Sequence, residues 1–115
     1  MRNRTERVSQ IDKDCDQLWS KVILERDPKC LRCNLPSTDA HHIFKRRKRI
    51  LRWNLQNGVG VCRRCHSYFE AHPKDNELIT QKVGLKVYER LKILESQIER
   101  YPNMNKIYED LKSCL

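Results

Sequence analysis

Two Cys-x-x-Cys pairs most constrain the fold of this 115-residue chain. Cys30-Leu-Arg-Cys33 and Cys62-Arg-Arg-Cys65 have the spacing at which two thiolates form a knuckle around one metal ion, and two knuckles complete a tetrahedron. Four thiolates leave no open coordination position, so the pattern predicts a structural zinc site. Such a crosslink suits a chain of this size, which buries only a modest core.

The stretch from Cys62 to His66, CRRCH, also has the spacing at which a c-type haem is attached, with the histidine on iron. The first residues, MRNRTERVSQIDKD, contain no apolar segment of an export signal, and no run of about 18 apolar residues predicts a membrane helix. We therefore expect a cytoplasmic protein without membrane association, whose thiols are reduced. Since c-type haem is attached outside the cytoplasm, we expect zinc and no haem.

The formal net charge of +9 is concentrated in one segment. This segment, between His41 and His66, contains no Asp or Glu. A basic segment beside a metal-ligand cluster indicates a polyanionic partner, and a solvated loop without a partner is the alternative. We interpret its basic side chains as contacts to the DNA backbone; they are Lys45, Arg46, Arg47, Lys48, Arg49, Arg52, Arg63 and Arg64.

The periodicity of apolar residues predicts a small α+β protein with three parts. Residues 1–13 are polar and basic, and we expect a flexible arm. A helix capped by Asp14 or Asp16 and ending before Pro28 opens the core, 14–74. In the middle of this core, the sequence predicts a strand near 41–44, a basic loop, a second strand at 59–61 and a short helix after Cys65. The remainder, 75–115, predicts amphipathic helices with a break at Gly84, which could form a homodimer.

A second motif lies between and beside the knuckles and consists of His41, His42, Asn57 and His66. AHHI, followed by an asparagine shortly before CxxCH, resembles the HNH motif of the His-Me finger (ββα-metal) endonucleases, in their zinc-containing branch. RWNLQNGVGVCRRCH and DQLWSKVILERD are similar to phage recombination endonucleases of the NinG (Rap) type. The resemblance covers about residues 14–72 and implies a ββα-metal core. Ordinary polar residues beside a zinc knuckle are the alternative interpretation.

The resemblance implies a role for each of these residues. His42 is the general base, and Asn57 orients the loop backbone and the His42 imidazole. His41 and His66 bind a catalytic divalent ion, Mg²⁺ or Mn²⁺, and Glu70 is a further ligand candidate one helical turn on. Adjacent strand residues point to opposite faces, so we expect a twist or bulge between the two histidines. His41 stands where the family often has an aspartate, which favours Mn²⁺, Ni²⁺ or Zn²⁺ over Mg²⁺.

The function implied is a metal-dependent DNA endonuclease with a single-metal HNH mechanism, in phage recombination or DNA processing. A phage protein of this kind acts in the cytoplasm of the host cell. We expect weak sequence specificity on double-stranded or branched DNA, because no recognition helix with base-reading side chains is evident. Two alternatives remain open: a non-catalytic zinc ribbon that binds nucleic acid, and a nuclease subunit that requires a larger partner.

Overall fold

The computed structural model describes residues 9–98 and 101–115. Its elements form a small α+β fold, as the sequence predicts. A 3₁₀ turn, Leu55–Asn57, lies between α2 and β2. None of the helices in the described ranges is long and apolar enough to cross a membrane. The helices and strands are α1 Gln10–Arg26, β1 Asp39–His42, α2 Arg49–Arg52, β2 Gly58–Val61, α3 Arg63–Ala71, α4 Glu77–Val83, α5 Leu85–Ser96 and α6 Met104–Ser113.

Helix α1 begins earlier than the sequence predicts. Its N-cap is Ser9, whose hydroxyl accepts a hydrogen bond from the Asp12 amide at 3.2 Å, so neither Asp14 nor Asp16 caps the helix. The predicted arm, 1–13, is therefore wrong for residues 10–13, which are helical, while 1–8 lie outside the described residues. The helix ends at Arg26, before Pro28, as predicted.

The two strands form an antiparallel sheet in which His41 pairs with Val59 and His42 with Gly58. Strand β1 begins two residues before the predicted start and ends at His42. Every residue of β2 is buried, because α1 and the segment that follows it lie directly on the strand. A Cβ atom on Gly60 would lie 2.5 Å from the carbonyl oxygen of Asp27, so this close approach requires glycine.

Most of the buried apolar side chains in the described residues form two clusters, and each includes residues beyond position 74. The first surrounds the knuckles and includes Ile79 of α4. The second lies between α1 and α6 and includes Met104 and Leu111. The predicted division between a core, 14–74, and an extension, 75–115, therefore does not separate two hydrophobic cores. The second cluster consists of Cys15, Trp19, Ile23, Trp53, Met104 and Leu111.

The C-terminal helices break at Gly84, as predicted. Gly84 has a φ of 89°, a left-handed conformation that glycine adopts without a steric penalty. The last helix begins at Met104, because the Asn103 side chain accepts a hydrogen bond from the Lys106 amide at 3.2 Å. Its apolar face packs against α1 and thus belongs to the interior of the chain.

Candidate metal centres

The four knuckle cysteines meet at one point. Their sulfur atoms all lie within 4.8 Å of one another, and Cys33 Sγ is 3.5 Å from Cys62 Sγ. A tetrahedral ion with metal–sulfur bonds of about 2.3 Å holds thiolates about 3.8 Å apart, so the spacing suits such an ion. The prediction that these four residues form a cluster able to bind a metal is confirmed; they are Cys30, Cys33, Cys62 and Cys65.

Local backbone geometry builds the two knuckles in different ways. In the first, the Cys30 amide donates to the carbonyl oxygen of Leu35 at 2.6 Å, and Asn34 turns the chain with a φ of 65°. The second knuckle is the start of α3, where Cys62 is the N-cap and its sulfur accepts from the Cys65 amide at 3.4 Å. The sulfur of Cys62 thus caps a helix and faces the other thiols.

The four thiols differ in pKa, and a bound cation would allow all of them to ionise together. Burial acts against the Cys30 thiolate, but hydrogen bonds from neighbouring backbone amides outweigh it and lower the pKa to about 6. Burial raises the pKa of Cys65 to about 12, although the Arg32 guanidinium lies 3.8 Å from its sulfur. Thiolates this close repel one another, so all four ionise together only around a positive charge.

A second group of metal-ligating side chains lies between β1 and α3. Ligand atoms of His41, His66 and Glu70 all lie within 4.8 Å of one another. His66 Nε2 is 3.2 Å from Glu70 Oε1, and the rings of His41 and His66 meet edge to face with centroids 5.1 Å apart. The structure brings together the three residues that the resemblance assigns to a catalytic ion, including Glu70.

His41 has the properties of a metal ligand. Its side chain is buried, and no residue in the described part of the chain offers Nδ1 a hydrogen bond. Buried polar atoms without partners are rare, and a cation is a partner that suits an imidazole nitrogen. Burial, followed by the charge of His66, lowers the pKa of His41 to about 4, so the ring is neutral and able to bind metal. The donor set therefore fits a divalent ion and favours Mn²⁺, Ni²⁺ or Zn²⁺.

His42 lines the same cleft as His41 but is held by different contacts. Its ring stacks on Trp19 with centroids 4.0 Å apart and planes 5° from parallel. His42 Nε2 lies 2.9 Å from the backbone oxygen of Arg52. Because a carbonyl oxygen only accepts, we assign the proton to Nε2, which leaves Nδ1 as the basic nitrogen of the neutral ring. Burial lowers the pKa of His42, although the hydrogen bond to Arg52 opposes the shift.

The two histidines share this cleft, which has a volume of about 920 Å³, without the bulge that the sequence led us to expect. The pairing of β1 with β2 is continuous through both residues. His42 is the last residue of its strand, and the chain turns away after it. His41 lies against His66 and Phe69 of α3, whereas His42 lies against Trp19 of α1, so the two rings reach this cleft from opposite faces of the strand.

Asn57 holds the loop backbone and not the His42 ring. Its buried side chain donates from Nδ2 to the carbonyl oxygens of Phe44 at 3.0 Å and Leu51 at 2.9 Å, and Oδ1 accepts from the Phe44 amide at 2.9 Å. The expected contact of Asn57 with the His42 imidazole is therefore wrong. The backbone oxygen of Arg52 takes that place.

Three of the basic side chains are partly buried and bound within the chain. Lys48 Nζ donates to the backbone oxygen of Gln97 at 2.5 Å. Arg49 pairs with Asp12 at 3.1 Å, and Arg52 pairs with Asp16 at 2.7 Å with little solvent exposure. Arg49 and Arg52 thus join the basic loop to α1, a role that the sequence interpretation of DNA contact did not include.

The other five are exposed to solvent, and three of them lie along the cleft. Lys45, Arg46 and Arg47 line the same cleft as His41 and His42 and are exposed to solvent. Arg63 and Arg64, in the first turn of α3, are also exposed. These five side chains are thus accessible from solvent.

Two residues beside the site were not singled out from the sequence. Asp39 Oδ2 lies 2.9 Å from His66 Nδ1, and Trp19 covers the His42 ring. Asp39 stands two residues before His41 on one strand, a spacing that places both on the same face and could have indicated it. The spacing of Trp19 in α1 indicated only a core position.

No protein-family model matches this chain, and neither a curated protein nor a solved structure matches it.

Proposed function

We propose that this protein is a metal-dependent endonuclease that hydrolyses phosphodiester bonds of DNA. The observation that carries the proposal is the grouping of His41, His66 and Glu70 within 4.8 Å, in a cleft that also contains His42. Phosphodiester hydrolysis requires a base for the attacking water and positive charge for the phosphate. The order β1, β2, α3 around this cleft supports an HNH, ββα-metal arrangement.

In this proposal His42 accepts a proton from water at Nδ1. The stacked Trp19 ring fixes the plane of the imidazole, and the Arg52 backbone oxygen fixes its tautomer. Asn57 supports this geometry indirectly, because it donates to the backbone oxygen of Leu51, the residue before Arg52 in α2. The residues His41, His66 and Glu70 would hold the divalent ion, which when bound supplies charge neutralisation at the phosphate.

The four-cysteine cluster holds zinc in this proposal, and the zinc is structural. Four thiolates close the coordination sphere, so no position remains for substrate. Cys62 and Cys65 lie at the beginning of α3, and His66 directly follows Cys65. Fixing the second knuckle therefore fixes the first turn of the helix that carries both His66 and Glu70.

The substrate in this proposal is double-stranded or branched DNA held through its phosphates. Lys45, Arg46 and Arg47 lie along the cleft of the candidate catalytic residues, where cationic side chains attract a phosphate backbone. Phosphate contacts position a duplex without reading its sequence, so we expect weak sequence specificity. A role in phage recombination or DNA processing follows from the motif resemblance alone.

The test compares three proteins on supercoiled plasmid and on a four-way DNA junction, each with EDTA, Mg²⁺ and Mn²⁺. We expect His42→Ala to lower the metal-dependent cutting rate by about 10²- to 10⁴-fold, the usual contribution of a general base. His72→Ala is the matched control, because His72 lines the same cleft but its ring stacks on Tyr68 and its Nδ1 lies 2.9 Å from the Tyr68 backbone oxygen. His72→Ala should cut like the wild type.

Two results would contradict the proposal. If the zinc-loaded wild type binds DNA but cuts neither substrate with either metal, the protein is a non-catalytic binding module or requires a partner subunit. Equal cutting by wild type and His42→Ala would remove His42 from the mechanism.

A further inference from the structure

Asp39 lies behind the candidate metal site, where it contacts one of the ligands. Its Oδ2 is 2.9 Å from His66 Nδ1, and Thr38 donates to Oδ1 at 2.9 Å. The Asp39 side chain is only 16% exposed. The backbone places it there, because Asp39 pairs with Val61 at the end of β2 that leads into α3.

This contact determines which nitrogen of His66 carries a proton. A carboxylate only accepts hydrogen bonds, so Nδ1 of His66 is the donor and Nε2 of the neutral ring is unprotonated. That Nε2 lies 3.2 Å from Glu70 Oε1. Two electron-pair donors at this distance repel unless a proton or a metal ion lies between them. The geometry therefore suits a metal ion that takes the place of the proton on Nε2.

We propose that Asp39 is the positioning residue of the divalent-cation site: it holds His66 in the Nδ1–H tautomer, so that Nε2 is the atom that binds the metal. Metal-bound histidines commonly donate their other ring N–H to a carboxylate, which fixes the ring and increases the basicity of the ligand. The inference rests on the proposed function for the existence of the second metal site, but it does not require that the site cut DNA.

The neighbouring cation does not account for Asp39. Arg63 approaches Asp39 Oδ1 at 3.6 Å, and its side chain is 85% exposed. An ion pair at this distance in solvent contributes little. The shorter, more enclosed contact is the one to His66.

The first measurement is the affinity of zinc-loaded protein for Mn²⁺, by titration calorimetry. We expect Asp39→Ala to weaken Mn²⁺ binding by about 10- to 100-fold, the usual effect of removing such a partner. Asp39→Asn should lose less, because its amide oxygen can still accept from Nδ1. Asp75→Asn is the matched control: Asp75 lines the same cleft and accepts a hydrogen bond from Tyr68, but it contacts neither metal-site histidine. Its Mn²⁺ affinity should equal that of the wild type.

The second measurement reads the tautomer directly, by long-range ¹H–¹⁵N NMR of the imidazoles in zinc-loaded, Mn²⁺-free protein. We expect the Nδ1–H tautomer of His66 in the wild type and a shift toward Nε2–H in Asp39→Ala. An Nε2–H tautomer in the wild type overturns the inference, whether or not the alanine variant folds. Unchanged Mn²⁺ affinity in a folded Asp39→Ala protein also overturns it.

The two proposals fail in distinguishable ways. If the wild type binds no Mn²⁺ beyond its zinc, the second metal site and the role of Asp39 both fail. If Asp39→Ala weakens Mn²⁺ binding while the wild type cuts no DNA, the positioning role stands and the nuclease proposal fails.

Discussion

At the scale of single residues, the environment of His42 sets the pH range in which it can act as a base. Its ring lies against Trp19 and is largely withdrawn from water, and this burial lowers its pKa below the ordinary value of 6.5. The neutral, basic form of His42 is lost only as the pH falls through this lowered pKa. The acidic limb of the cutting rate should therefore lie below pH 6.5.

Replacing Trp19 should move this limb. In Trp19→Leu the imidazole is more hydrated, so we expect its pKa and the acidic limb to move up toward 6.5, whereas Trp19→Phe keeps a stacking ring and shifts less. The measurements are the NMR titration of His42 and the pH dependence of cutting. Trp53→Leu is the control: Trp53 lies in the same buried cluster, and no ring contact to His42 is present among residues 9–98 and 101–115. If Trp53→Leu moves the pKa of His42 as far as Trp19→Leu does, the shift comes from a general loosening of the buried cluster and not from the loss of the stacked ring.

The sequence predicted the residues of the site more completely than their contacts. The cysteine cluster followed from spacing alone, because Cys-x-x-Cys has few other uses in a small reduced protein. The hydrogen bonds of Asn57 did not follow, since they depend on where Phe44 and Leu51 lie after folding. Asp39 and Trp19 were missed for the same reason: each acts through a ring that tertiary packing brings next to it.

At the scale of elements, Asp27 connects the end of α1 to β2. Its carboxylate accepts from the Gly60 amide at 3.0 Å and from the Arg26 guanidinium at 2.9 Å, while the side chain is almost fully buried. Burial alone would raise the pKa of Asp27, but the hydrogen bonds from Arg26 and Gly60 outweigh it and lower the pKa. The ionised carboxylate therefore stabilises the junction of helix and sheet.

We expect Asp27→Asn to lower the free energy of unfolding by about 1–3 kcal/mol at pH 7, the range for hydrogen bonds to a charged group. Because the folded pKa is lowered, the ionic contribution is complete above the unfolded pKa of about 3.9 and is lost as the pH falls through the folded value. The difference between wild type and variant in urea unfolding should therefore shrink in acid. Asp110→Asn, which removes an exposed pair with Lys106, is the control and should change stability by less than about 0.5 kcal/mol.

The start of α1 shows why element boundaries were harder to predict than element types. Residues 9–13 are polar except for Ile11, and we therefore predicted that they belong to an exposed arm. In the folded protein Asp12 is buried and pairs with Arg49 of the basic loop. Ile11 of the same turn packs against the cluster of Cys15 and Trp19, so the apolar spacing of α1 extends back to this residue, whereas the ion pair of Asp12 depends on tertiary packing.

At the scale of the whole molecule, α6 completes the core on which the site is built. Leu111 and Met104 of α6 pack with Trp19, the residue that stacks on His42. The homodimer expected through the C-terminal helices stays a prediction, but the apolar face of α6 is already covered by α1. Any second copy would have to use other apolar side chains, such as the exposed Leu85 and Ile93 of α5.

Leu111→Ala should therefore destabilise the monomer itself. Leu111 is 4% exposed, and truncating a buried leucine costs about 2–5 kcal/mol. Leu115→Ala is the matched control, because Leu115 is 50% exposed and should change stability by less than about 0.5 kcal/mol. The measurement is urea unfolding of zinc-loaded protein. Equal stability of the two variants would mean that packing of α6 against the core does not contribute to the stability of the monomer.

The two candidate metal centres share helix α3, so we expect the second centre to depend on the cysteine cluster but not the reverse. The first turn of α3 contains Cys65 of the cysteine cluster, and His66 and Glu70 of the second group follow on the same helix. Zinc binding supplies folding free energy in small domains, because the thiolates repel one another without the ion. Losing zinc should therefore disorder the second site, whereas an empty second site should leave the zinc in place.

We expect a strong zinc chelator under reducing conditions to abolish both the helical circular-dichroism signal and Mn²⁺ binding. Zinc should restore both, and Mn²⁺ alone should restore neither, because thiolates prefer zinc. Cys65→Ser should behave like chelated protein, while Cys114→Ser, which alters an exposed cysteine outside the cluster, should behave like the wild type. His66→Ala should lose Mn²⁺ binding yet keep its zinc and its fold. A zinc-free protein that stays helical and binds Mn²⁺ with unchanged affinity would show that α3 is held by packing alone, and the linkage through Cys65 would be wrong.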